Sequence, residues 1–270
     1  MNKDFINTLK IYCLFFFGFF LVLSPVAFVN YYKDPFAVFA KVVNKNTLIS
    51  RDFRHSFPNI ARKMAFETAV VGTSDSLPYH QENVLKLLEK PWFNFALEGA
   101  TNYEQSLLVD VILDNKPNTV IIWQINWLSF LWKSGYSRLG SNFPSYLYEK
   151  NNLVIYFKTL VNPFYAFKSL FSQRKSLIEI SDLETWDNNS EEKNFLTEFE
   201  KRINIFFDFV DNNKNIRDFD DKELKKQFSI YVEAVVEKNP QSRFIIVLPP
   251  FSNKFLESDK DFDQIETMQA

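Results

Sequence analysis

Between Lys10 and Lys33 the chain carries no charge: Ile11 to Tyr32 reads IYCLFFFGFFLVLSPVAFVNYY. As a helix, a run of this length and apolarity reaches across the hydrocarbon of a bilayer. This feature constrains the chain most, because whatever fold follows has to start from a membrane. Lys3, Lys10 and the α-amino group put positive charge on the N-terminal side. By the positive-inside rule, residues 1–10 are then a cytoplasmic N-terminus, 11–32 a transmembrane signal-anchor, and the remainder lies outside. Tyr31 and Tyr32 suit the aromatic belt at the outer interface. A cleaved signal peptide is the competing reading, since Ile11 to Leu23 has the length of a signal's apolar core. Against it, Ser24-Pro25-Val26-Ala27 leads into Phe28, Val29 and two tyrosines, without a small-x-small cleavage pattern. The expectation is a membrane-anchored protein whose main domain is extracytoplasmic, in the periplasm or at the cell surface.

The body is long enough, within 270 residues, for one α/β domain after the anchor. Hydrophobic residues at 46% and aromatics at 17% exclude a disordered chain and supply a core. A formal charge of −2 without any long basic block argues against nucleic acid as a partner. The single cysteine, Cys13, lies in the apolar run, so no internal disulfide forms, and His55 and His80 alone make a metal site improbable. No cofactor is expected.

Residues 33–65 read as an extended or irregular connector, with Pro35 and Pro58 as boundaries and His55 as a solvated or salt-linked loop residue. From 66 the pattern alternates. FETAVVGTS (66–74) is a buried strand broken at Gly72, 77–90 has helical spacing, and WFNFAL (92–97) is a second strand closed by EGA. NYEQSLLVDVILDN is a helix with Leu107, Leu108, Val111 and Ile112 inward, and PNTVIIWQIN holds a third strand. Residues 131–150 form a long loop, helical pieces follow at 151–178 and 195–211, and a helix at 221–238 leads to RFIIVLPP (243–250), a fourth buried strand. Strands alternating with helices predict an α/β fold, a parallel sheet sandwiched by helices.

In such sheets ligands bind outside the carboxyl ends of the strands. Three polar clusters fall at such ends: Gly72-Thr73-Ser74, Glu98-Gly99-Ala100 and Gln124-Ile125-Asn126. Acyl transfer needs a nucleophilic hydroxyl and donors for the oxyanion. Ser74 can supply the first; the Ser74 and Gly99 amides with the Asn126 side chain can supply the second. The bland reading of each taken singly is a helix-capping serine, a turn glycine and a strand-end asparagine. Trp123 is expected in the core, while Trp127 and Trp132 are candidates to line a groove.

GTS, the NFALEGA segment and QIN, in this order, resemble the SGNH or GDSL-like hydrolases and acyltransferases. Thr73 stands where that family has Asp, and Gln124 where it has Gly. The likeness is to membrane-anchored members associated with acylation of cell-envelope polymers, with an anchor and a connector like VNYYKDPFAVF ahead of the GTS strand, and spans about residues 28–130 together with a VLPP strand at 247–250. It implies a three-layer domain over 66–270, Ser74 as nucleophile, Gly99 and Asn126 as oxyanion or substrate contacts, a cell-surface polysaccharide as substrate, and the envelope acylation machinery as partner. The family's C-terminal Asp-x-x-His is not found: twenty residues follow VLPP, and none is His. Three explanations fit, namely a sequence incomplete at its C-terminus, a homologue that keeps only the cleft, or a partner that brings the base; the expectation is the first, an α/β domain incomplete at its C-terminus, because SDKDFDQIETMQA reads as the start of a helix. As a class apart from the enzyme stands a non-catalytic envelope protein that binds a glycan or an assembly partner through the same cleft.

Overall fold

The computed structural model describes residues 3–44, 46–50, 52–76, 90–126, 134–171, 174–177 and 221–247. The helices expected at 77–90 and 195–211, and with them His80, Trp127 and Trp132, lie outside the described residues. The chain divides into two units, one of residues 1–64 with 144–180 and one of 65–143 with 181–270.

The first unit opens with α1, Lys3–Lys33, whose Lys10–Lys33 portion has a mean hydropathy of 2.3 and is long and apolar enough to cross a bilayer, a property that a signal sequence shares. Immediately after it the chain folds into a tight polar turn. Asp34, itself at φ 39°, accepts from the backbone N–H groups of Val38, Phe39 and Ala40 at 2.6, 2.8 and 2.8 Å. Lys63 closes the turn from the other side by donating to the carbonyls of Ala37 and Val38. Burial raises the Asp34 carboxyl above its ordinary value despite those N–H bonds and the Lys63 charge, and burial lowers Lys63 to about 8.

The segment read as a connector is more ordered than its composition suggests. It holds β1, Leu48–Ser50, and α2, Phe53–Lys63. Pro58, expected at a boundary, sits inside α2. It leaves the Arg54 carbonyl, four residues back, without its helical donor. The Tyr148 hydroxyl takes that place at 3.0 Å, so a residue ninety positions away in sequence makes the internal proline tolerable. Helices α4, Asn152–Leu160, and α5, Pro163–Phe171, and the short strand β5, Arg174–Ser176, also belong to this unit. β5 pairs antiparallel with β1, Leu48 opposite Ser176. Phe36, Ile49, Ile60, Leu147 and Tyr165 are fully buried in this unit.

The second unit is an α/β assembly around a parallel sheet. Its strands are β2, Thr68–Val71, β3, Trp92–Asn94, β4, Val120–Gln124, and β6, Arg243–Val247, in the order β3-β2-β4-β6. All three pairings are parallel, with Thr68 level with both Trp92 and Val120, and Val120 level with Arg243. The central TAVV strand is buried at every position, the pattern of a strand covered on both faces. Helix α3, Asn102–Asn115, has the predicted limits because Thr101-x-x-Glu104 is a capping box: Thr101 Oγ1 accepts from the Glu104 N–H, and Glu104 Oε2 accepts from the Thr101 N–H, both at 3.3 Å. Leu108, Val111 and Ile112 are buried as expected, with Leu107 half-buried. Helix α6, Asp221–Phe228, passes through a π-helical turn, Ser229–Glu233, into α7, Ala234–Lys238.

Candidate active site

The site is the carboxyl edge of the sheet where strand order reverses. From β2 the chain goes to β3 on one side, and the next strand, β4, lies on the other. Ligand crevices of open parallel sheets lie at such a reversal. The pairing defines a level there. The Leu97 N–H donates to the Gly72 carbonyl at 3.0 Å, and Val71 is level with Trp123, which sets Gly72 beside Gln124. Continued from Val70 opposite Asn94, the register also sets Gly72 beside Ala96, so Ser74 and Asn126 follow this level by two residues and Gly99 by three. The three clusters picked from sequence thus stand on neighbouring strand ends at one edge.

Gly72 is where it is because nothing larger fits. A Cβ built on it would meet Ser76 Oγ at 1.9 Å and the Gln124 Cβ at 3.1 Å. Behind it, Ser76 is fully buried and its hydroxyl donates to Gln124 Oε1. The Ser76 N–H bonds the Thr73 carbonyl at 3.0 Å, closing a 3₁₀ turn over Ser74–Ser76, and Asn94 Nδ2 donates to the Ser76 carbonyl at 2.9 Å. In this turn Thr73 and Ser76 are buried while Ser74 is exposed. The sequence offers three hydroxyls in GTSDS, and the fold presents Ser74, anchored through its neighbours.

Gly99 has a different reason to be glycine than the one expected. Its φ of 57° lies in the left-handed region. The space a Cβ would take belongs to Arg138, whose Nη1 would be 1.9 Å away. The sequence suggests open approach to the Gly99 amide; instead the guanidinium rests against that glycine, 3.5 Å from the Glu98 carbonyl. Arg138 is carried by the 134–142 loop, which is pinned at several points. Glu104, fully buried, uses its second oxygen to accept from Ser137 Oγ at 2.6 Å and from the Arg138 N–H at 3.1 Å. Thr101 Oγ1 donates to the Tyr136 carbonyl at 2.7 Å, and the Tyr231 hydroxyl in the π-helical turn binds Ser134 and the Gly135 N–H. Trp123 is a core residue as expected, and its indole N–H donates to Gln105 Oε1 at 2.9 Å. Asn126 is half-buried.

Sequence reading missed Arg138, Ser76 and the double duty of Glu104. Only the last had a local signal, the Thr101-x-x-Glu104 spacing. It also passed over an Asp-x-x-His spacing well upstream of the C-terminus, Asp52-Phe53-Arg54-His55. His55 is neither solvated nor in a loop: it is buried in α2 with Nδ1 2.8 Å from Asp52 Oδ1, against the rings of Phe36 and Tyr165. Burial raises the Asp52 carboxyl, but the bond to His55 and the charges of His55, Lys168 and Arg54 outweigh it and hold its pKa below the ordinary value. The salt-linked part of the expectation is correct. This pair belongs to the first unit, whereas Ser74 belongs to the second. No family model, curated protein or solved structure matches the chain.

Proposed function

We propose that the chain is a membrane-anchored SGNH-like esterase or O-acyltransferase that acts through Ser74 on O-acyl groups of a cell-surface polysaccharide. The observation that supports it is the exposed Ser74, three residues past the end of the central strand at the strand-order reversal, with Gly99 and Asn126 just past the ends of the neighbouring strands at the same edge. In this reading Ser74 Oγ adds to the ester carbonyl and gives up its proton. The Ser74 and Gly99 N–H groups and the Asn126 amide meet the oxyanion, and the sugar oxygen leaves carrying a proton. Water then clears the acyl-serine in an esterase, or a second hydroxyl does so in a transferase. Helix α3 starts three residues after Gly99, and its N-terminal dipole favours the developing negative charge. The proton of Ser74 needs an acceptor, which a partner or further sequence would supply in this reading, since His80, six residues on, falls in the stretch expected to form the next helix.

One observation favours a second reading, a non-catalytic envelope protein. Arg138 lies against Gly99, where the resemblance implies free approach to the amide, and a guanidinium at a strand edge is a ready contact for an anionic glycan or an acidic partner. The two separate on one assay. The full chain in detergent micelles is incubated with p-nitrophenyl acetate beside Ser74→Ala. Release of nitrophenol that falls at least tenfold in the variant supports the enzyme, and equal rates in both support the binder.

A further inference from the structure

The apolar surface of the first unit does not end with α1. From Leu14 to Tyr32, α1 is exposed except along one stripe: Leu23, Val26, Ala27 and Val29 are half-buried and Asn30 is buried. Positions 23, 26, 27 and 30 share one helix face, and α4 and α5 are what pack on α1. The joint is polar and specific. Asn30 Nδ2 donates to the carbonyls of Thr159, Leu160 and Asn162 at 3.0, 2.9 and 2.9 Å, so an amide on the apolar helix ties α1 to the end of α4 and the turn into α5. From Asn30 back to Leu23 is seven residues, about 10 Å along a helix. The packing therefore begins at the outer end of the apolar window Lys10–Lys33 and runs into it.

The faces that α4 and α5 turn away from α1 are apolar too. Leu153 and Phe157 on α4, and Phe164, Phe167, Leu170 and Phe171 on α5, are all exposed, Phe171 to 71%. On α5 the residues 164, 167 and 171 follow helical spacing. Each helix has nine residues, too short to span, and carries a single lysine and no acid. Lys158 and Lys168 point to polar company, Glu149 at 3.5 Å and Asp52 at 3.7 Å.

We infer that α4 and α5 form a lipid-embedded shelf beside the outer end of α1, sunk about 5–10 Å into the bilayer surface with their phenylalanines among the acyl chains. The occupant of this face is lipid because the surface is continuous with that of α1 and sits at the level of its apolar window. The inference rests on α1 spanning the membrane and is independent of the chemistry at Ser74.

The test uses the full chain in phosphatidylcholine–phosphatidylglycerol vesicles. With Cys13→Ser as background, a nitroxide is attached in turn to Phe157→Cys, Phe167→Cys, Phe171→Cys and, as an exposed reference, Ser145→Cys. Collision with dissolved oxygen is compared with collision with a water-soluble nickel chelate. The shelf predicts an oxygen-to-nickel ratio several-fold above the reference at 157, 167 and 171. A ratio equal to the reference overturns it, and so does protection from both reagents, which would mean a protein partner or a second copy covers the face. Should the variants fail to fold, unmodified protein is irradiated with a lipid carrying a diazirine in its acyl chain. Adducts within 152–171 support the shelf; adducts confined to 10–33 refute it.

Discussion

Ser76 and Gln124 explain Gly72 better than any local rule. The methyl group of Gly72→Ala would collide with Ser76 Oγ and displace the buried serine from Gln124. Leaving that pair unmade costs about 1–3 kcal/mol, so the thermal midpoint of Gly72→Ala is expected to fall by several degrees. Ser74→Ala, at an exposed position, is expected to melt with the wild type. Equal midpoints for Gly72→Ala and wild type would contradict the packing at this strand end. Gly99→Ala meets both a left-handed φ and Arg138, with an expected loss of about 1–3 kcal/mol in urea denaturation. The three glycine and hydroxyl positions were legible because a β-branched run that stops at Gly-Thr-Ser marks a strand end. Ser76 to Gln124 and Gly99 to Arg138 were not, because each joins residues about forty or more positions apart, and no spacing rule reaches that far.

At the scale of elements, α2 tests how a helix accepts a proline. If the Tyr148 hydroxyl replaces the donor that Pro58 lacks, Tyr148→Phe costs about 1 kcal/mol. In a Pro58→Ala background the restored N–H competes for the Arg54 carbonyl, so the same change costs less. A double-mutant cycle of denaturation midpoints is expected to show this coupling, and strict additivity would refute it. The contrast with α3 shows what a sequence reveals about its elements. α3 carries its own start signal at Thr101 and Glu104 and an apolar face at 108, 111 and 112, and its predicted limits match. α2 begins at Phe53 after an Asp52 that makes no side-chain cap, has Pro58 inside, and depends on Tyr148 from a distant segment. β1 and β5 have three residues each and exist only through each other, so neither stands out in the chain.

For the whole molecule, the alternation of apolar strands and helices was enough to anticipate a parallel α/β sheet, and the uncharged run enough to anticipate α1. The return of 144–180 to the N-terminal segment was not, because the contacts that bring it back, Asn30 to Leu160 and Tyr148 to Arg54, span about ninety residues or more. The Asp34 turn beyond α1 makes a prediction about stability against pH. Lys63 titrates near 8 in the folded chain, against 10.5 for an ordinary solvated lysine such as the unfolded chain presents. Between these values the unfolded chain binds more protons, so the contribution of Lys63 to stability rises with pH across that window. Wild-type protein in detergent should gain in thermal midpoint relative to Lys63→Met between about pH 8 and 10.5, and a constant difference would place the ammonium in water. In the proposed reading, the exposed Ser74 at the sheet edge is a nucleophile. The most direct measurement of this is intact-mass and peptide mapping of the full chain after reaction with a fluorophosphonate, which phosphonylates activated serines. The account predicts a single adduct at Ser74, lost in Ser74→Ala; an unmodified Ser74, or labelling that survives the substitution, would contradict it.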